Sequence, residues 1–289
     1  MFQWNIKNHS YLGGFFHRNP NLFSKLKTGY FHMTAASQTD NKPEKKRYYE
    51  PAPEGIDIEN FKKVVQSRRS VRKFTDKAIP NDVLDECLDL ALLAPNSSNL
   101  QPWTFYVVQN PAKKKQLMKA CLGQLAAKTA AELIVCVART DRVDEMAKRN
   151  ISEFPFPEAP AAVQKYYKFI PYNYKTGYFN ALGNFKKVAF KVARTLDKQL
   201  PVTAFNEADA KLWASKTTAL ACENLVLALR AYGFDSCMME GFDEPLVKKI
   251  LGLNAQQYPV MVIGAGERAK DGVFFPQYRF DRDLFIQKV

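Results

Sequence analysis

Residues 68–72 place Arg68, Arg69, Ser70 and Arg72 almost side by side. Guanidinium groups are planar, permanently charged forks that grip phosphate through short charge-assisted hydrogen bonds, and a hydroxyl adds another donor. The chemistry on offer is capture of a small-molecule phosphate; the alternative is a solvated basic turn, because charged side chains are usually exposed. A second polar group, Pro95, Asn96, Ser97 and Asn99, precedes Gln101-Pro102-Trp103. Pro, Asn and Ser also form ordinary turns. Met238, Glu240 and Gly241 lie in a third segment, where glycine permits close approach of the backbone to a ligand. Gln277 and Arg279 form a fourth near the end.

Other chemistries find little support. The three histidines, His9, His17 and His32, all lie in the N-terminal segment, so neither a zinc site nor a histidine base is expected beyond it. The five cysteines form no Cys-x-x-Cys pair and fall mostly in apolar patterns, as reduced core residues of a cytoplasmic protein would. Gly264-Ala265-Gly266 is not a full dinucleotide fingerprint, and neither a Gly-x-Ser-x-Gly elbow nor a P-loop is present. Asn8, Asn96 and Asn150 begin glycosylation-like triplets that a cytoplasmic chain would not use.

The elements that must position these groups can be read from periodicity. Ile58, Phe61, Val64 and Val65 predict a helix over about 57–67 that buries one face and delivers Arg68, Ser70 and Arg72 to a turn. Asn81 reads as the N-cap of a second helix with Val83, Leu84, Cys87, Leu88, Ala91 and Leu92 inward. A strand is expected at 104–108, a helix from about 111 capped by Asn110, and a buried strand at 133–138. A long helix over 207–231 turns Leu212, Leu220, Leu225, Val226 and Leu229 inward and stops at Gly233. A strand at 236–239, a helix at 244–250 ended by Gly252, and a strand at 258–263 follow. Strands separated by helices imply an α/β (α+β) fold, a mixed central sheet flanked by helices. The 289 residues suit one sizeable domain with an appendage.

The four polar segments, in this order, resemble the FMN-dependent nitroreductase family over roughly residues 56–138 and 207–289. The resemblance implies that Arg68, Ser70 and the distant Arg279 bind the FMN phosphate, that Arg69 beside them belongs to the cofactor-binding set, and that Arg72 sits by the pole of the ring that becomes anionic on reduction. It also implies that Met238, Glu240 and Gly241 contact the ring edge that exchanges hydride. Pro95, Asn96 and Ser97 match residues that reach the flavin of a partner subunit, which implies an obligate homodimer, and Asn99 after them is a further cofactor-binding candidate. NADH or NADPH would be the co-substrate, a small electron-poor molecule such as a nitroaromatic or quinone the acceptor, and no protein side chain the catalyst, because the flavin performs the redox step. Gln277 stands where the family commonly has lysine, and Gln124 is the candidate for a further ring contact. Trp103 reads as core. A dehalogenase-like or flavin-fragmenting single-substrate enzyme and a low-turnover flavin-fold binding protein are the alternatives.

The net charge of +13 is uneven. Residues 51–138 and 207–289 together hold 22 Lys/Arg against 20 Asp/Glu, whereas 1–50 and 139–206 hold 20 against 9. The basic excess therefore belongs to the additions, where nucleic acid or an anionic membrane surface is a possible partner and simple solubility the plain explanation. Residues 139–206 read as an insertion, and the resemblance implies that it forms a helical lid segment covering the flavin and shaping substrate access. Within it Phe185, Val188, Ala189, Val192 and Leu196 make an apolar stripe among lysines, expected to pack on the protein itself. Residues 1–32 lack a secretory signal's apolar core and read as an over-called start before Met33 or as a surface-binding arm. Residues 34–55 read as a linker or extended arm.

Overall fold

In the computed structural model, residues 50–177, 180–201 and 203–289 are described. The chain divides into Met1–Glu54 and Gly55–Val289, and the architecture below is that of the second unit. The readings of residues 1–32, of Met33 and of most of the linker fall outside the described residues.

Four antiparallel strands form the sheet in the order β1 (Trp103–Val107), β2 (Glu132–Arg139), β4 (Gln257–Gly266), β3 (Asp235–Met239). Parallel pairing enters at one bridge, Ser70 to Ser236. Strand β2 shows why the sheet is covered on both sides. Its alternate residues Leu133, Val135 and Val137 enter one core cluster, and Ile134 and Cys136 enter the other. Both sets are fully buried, each aliphatic side chain contributing roughly 1.5–3 kcal/mol of burial. A bulge between Cys136 and Val137 shifts the register so that Val137 faces Pro259, easing a residue without an N–H into the ladder.

Helices α3 (Pro111–Ala120), α4 (Leu125–Thr129) and α10 (Glu244–Leu251) pack on the first face. Helices α2 (Asn81–Leu92) and α9 (Glu207–Ala231) pack on the second. As expected, the Asn110 side chain caps α3 by accepting from the amides of Ala112 and Lys113. Gly252 ends α10 in the left-handed region at φ 69°. Asn81 corrects its expectation: it is the first residue of α2, Pro80 precedes it, and no side chain caps the helix.

Three apolar faces differ from the sequence reading. Helix α1 (Ile58–Ser67) buries no residue, leaving Ile58, Phe61 and Val65 exposed. In α9, Leu212 and Leu220 are 68% and 47% exposed, while Leu225, Val226 and Leu229 are buried as expected; Leu92 of α2 is likewise exposed. Periodicity finds an apolar face but not whether the same chain covers it.

The insertion folds as α5 (Val143–Ser152), α6 (Ala161–Phe169), α7 (Pro171–Tyr174) and α8 (Ala181–Thr195). Its small core joins Val143, Met146, Ala147 and Ile170 to Leu100. The stripe on α8 faces away from this core, because the opposite side of the helix is the anchored one. An added Cβ on Gly183 would lie 1.8 Å from the Phe205 carbonyl oxygen, so the two backbones pack without room for a side chain.

Candidate functional site

The cationic turn is built by the end of α1. The Arg68 backbone leaves the helical region at ψ 133°, and the Arg69 guanidinium turns back to donate to the carbonyls of Gln66 (2.6 Å) and Arg68 (2.8 Å). Arg69 thus satisfies acceptors orphaned at the helix terminus. Arg68 is half-buried, and among the described residues neither its guanidinium nor the Ser70 hydroxyl has a hydrogen-bond partner. The fully buried Val71 pins the segment to β3, its amide donating to the Ser236 carbonyl at 3.0 Å. Alternation then turns Ser70 and Arg72 the other way, and both are exposed.

Arg72 is held on two sides. Its amide donates to Gly272 O at 2.8 Å, and its guanidinium lies 5.9 Å from the centroid of Phe274. Gly272 is required there, since an added Cβ would come within 2.4 Å of the Lys73 carbonyl oxygen. Burial raises the Cys237 thiol above its usual range, and the charges of Arg72 and Arg68 pull the other way. Both cations therefore lie near β3.

At the opposite end of β3 a second group assembles from distant sequence. Gln124, in the turn before α4, donates through Nε2 to the Gly241 carbonyl at 2.7 Å. The Asp243 amide ties the same turn to Ala120 O at 2.9 Å. Glu240 and Gly241 are exposed, whereas Met238 is half-buried against the α2–α9 cluster. Ser236 lies at the start of β3 and Gly241 two residues beyond its end at Met239, so the cationic turn and the Gln124–Gly241 pair flank one strand.

The third group is a strained polar loop. Ser98, Asn99 and Gln101 have φ of 60°, 48° and 43°, the left-handed region where non-glycine residues are rare. Asn96 Oδ1 accepts from the Gln101 amide at 2.9 Å. The insertion clamps the loop: Ser97 and Ser98 hydroxyls meet those of Tyr174 (3.3 Å) and Tyr166 (2.6 Å), and Asn99 donates to Asn150 Oδ1 at 2.8 Å. Asn150 donates in return to the Asn99 carbonyl at 2.9 Å. Tyr174 in turn stacks on Trp213 with ring centroids 3.8 Å apart. Pro95, Ser97 and Asn99 stay exposed. Trp103 is core, packed with Ala94 and Ala221.

Gln277 and Arg279 are not gathered with the others. They lie in the exposed tail beyond Val273, where Arg279 donates to the adjacent Tyr278 carbonyl at 2.7 Å. Among the described residues no group of His, Cys, Asp and Glu could hold a metal ion. All five cysteines are buried and unpaired, and burial pushes the thiols of Cys87 and Cys121 up to about 11, which keeps them protonated and unreactive.

Sequence reasoning missed two supports. Asp235, 3% exposed, accepts from Arg268 (3.0 and 2.6 Å) and Arg230 (2.9 Å), fixing the end of β3 that receives Ser70. An aspartate opening an apolar strand was the available signal. The tyrosines of α6 and α7 were visible as an aromatic cluster, but nothing local pointed them at residues 97–99.

The model of the family described as "Nitroreductase family" matches residues 65–267. A Thermus thermophilus protein named NADH dehydrogenase is 30% identical over 231 residues, covering 80% of this chain and 97% of the relative. A nitroreductase family protein from Streptococcus pneumoniae TIGR4 superposes with a TM-score of 0.60 at 24% identity, covering 79% of this chain and all of that one. A structure from Exiguobacterium sibiricum 255-15, solved in complex with FMN, superposes with a TM-score of 0.56 at 20% identity, covering 79% and 97%. With the family model spanning most of the chain and the Thermus relative aligned over nearly its whole length, this chain belongs to the nitroreductase family.

Proposed function

We propose that this chain is an FMN-dependent oxidoreductase, working as a homodimer, that takes hydride from NADH or NADPH. It passes that hydride to an electron-poor small molecule such as a nitroaromatic or quinone, in ping-pong alternation. Residues 56–289 form the FMN-binding domain, with 139–206 as its insertion and 1–55 as an extension. The observation that carries the reading is the unpartnered guanidinium of half-buried Arg68 beside the unpartnered Ser70 hydroxyl and the Arg72 cation. A donor set of this kind, left without an acceptor by the protein, suits a dianionic phosphate. The FMN held by the Exiguobacterium neighbour and the name of the Thermus relative support the same reading.

When bound, FMN supplies a ring that can accept and donate hydride. Arg68 and Ser70 hold its phosphate, with Arg69 fixing the turn behind them and Arg279 and Gln277 adding donors from the tail. Arg72 places a fixed cation that favours the more negative, reduced form and so raises the reduction potential. Gln124 orients the Gly241 carbonyl, and Met238 and Glu240 complete that edge. Pro95, Asn96, Ser97 and Asn99 sit on a rigid loop suited to a partner's site. No side chain needs a tuned pKa.

The purified protein should be yellow, its flavin should bleach anaerobically with NADH or NADPH, and acceptor should restore the colour. A colourless protein that cannot be loaded with FMN ends this reading.

A further inference from the structure

Helix α8 carries two different faces. One is anchored: Lys186 is buried and its ammonium donates to the carbonyls of Tyr172 (3.2 Å), Asn173 (3.4 Å), Lys175 (2.7 Å) and Ala204. Phe190 meets Phe205 edge-on with centroids 5.4 Å apart. These contacts hold the other face outward, and there Phe185, Val188, Val192 and Leu196 are 57%, 65%, 55% and 67% exposed. Next to the Phe190–Phe205 anchor runs an open groove of about 540 Å³, lined also by Lys187, Lys191, Arg194 and Thr195 on the polar side of the helix. Among the described residues none of these three cations forms an ion pair. Residues 160–206 hold eight Lys/Arg and a single acid, Asp197.

We propose that α8 is a peripheral docking helix for an anionic phospholipid surface, its apolar face entering the acyl boundary and its cations meeting headgroup phosphates. Charge complementarity selects this occupant. A second copy seated on this stripe would set two segments 160–206 against each other, each with eight Lys/Arg and one acid, so like charge opposes that pairing. A nucleic acid would match the cations but leave four apolar side chains without a partner. An interfacial helix needs both features together. The 15 residues of α8 span about 22 Å, enough to lie on a membrane, and no described helix is long and apolar enough to cross one.

The test is co-sedimentation of the full chain with vesicles. Binding is expected to phosphatidylcholine–phosphatidylglycerol vesicles and not to phosphatidylcholine alone. Lys187→Gln/Lys191→Gln/Arg194→Gln should lower partitioning on the order of 100-fold, at about tenfold or less per charge. Val188→Asp/Val192→Asp should abolish it while leaving the sedimentation coefficient and thermal transition unchanged. Three outcomes would overturn the proposal. The first is failure of the wild type to bind the anionic vesicles. The second is binding that survives both variants, which would place the determinant elsewhere in the chain. The third is a Val188→Asp/Val192→Asp protein with altered oligomeric state, which would make the face a protein contact.

Discussion

Arg68 and Arg69 are neighbours with the same side chain, yet the fold assigns them different work. Arg69 spends its donors on the carbonyls at the end of α1, while Arg68 keeps its own available. Arg68→Ala should therefore weaken FMN binding about 10- to 100-fold, the loss of a charge-assisted hydrogen bond of roughly 1.5–3 kcal/mol. Arg69→Ala should change it only a few-fold; fluorescence titration of the apoprotein measures both, and equal losses would contradict the division. Asp235 acts through position. Replacing it with Ala leaves Arg230 and Arg268 facing each other without their shared carboxylate, at a cost of about 3 kcal/mol in urea unfolding.

At the level of elements, the insertion is tied to the sheet where β2 ends. There Arg139 grips Asp141 through two 2.7 Å hydrogen bonds, and Gln257 adds a third at 3.0 Å. Burial works against the Asp141 carboxylate, but these bonds outweigh it and hold the group below its ordinary 3.8. A carboxyl with a lowered folded pKa contributes stability that is complete above the unfolded value and disappears as pH falls through the folded one. The stability gap between wild type and Asp141→Asn should thus be constant near neutrality and shrink below pH 3.8, as followed by denaturant titrations. A gap unchanged in acid would mean that the carboxylate contributes nothing. Gly183→Ala forces a methyl against the Phe205 carbonyl, so α8 must shift; a loss of about 2 kcal/mol or more is expected in thermal unfolding.

For the whole molecule, α1 leaves Ile58 and Phe61 exposed, and the tail leaves Phe275, Tyr278, Phe280 and Phe285 exposed, two runs of large apolar side chains that this chain does not cover. A homodimer, as proposed, would cover faces of this kind, and the tail also carries Gln277 and Arg279. A chain ending at Val273 should sediment as a monomer and lose at least tenfold in FMN affinity. A truncated chain that stays dimeric would assign the tail another task.

The sequence by itself determined most of the elements. Helix α9 runs over Glu207–Ala231 as read, because Asn206 caps it, Gly233 stops it and nothing between interrupts the pattern. The buried strand β2 was legible because an unbroken apolar run satisfies both faces of a sheet at once. The proposed phosphate chemistry rests on the residue types of Arg68, Ser70 and Arg72, which the sequence also displays. Only the tertiary structure decided which arginine stays available, that Gln124 meets Gly241, that tyrosines of the insertion clamp residues 97–99, and that α1 and α8 turn apolar faces outward. Those outcomes depend on distances between segments up to 117 residues apart, and local periodicity contains no information about what lies across a face.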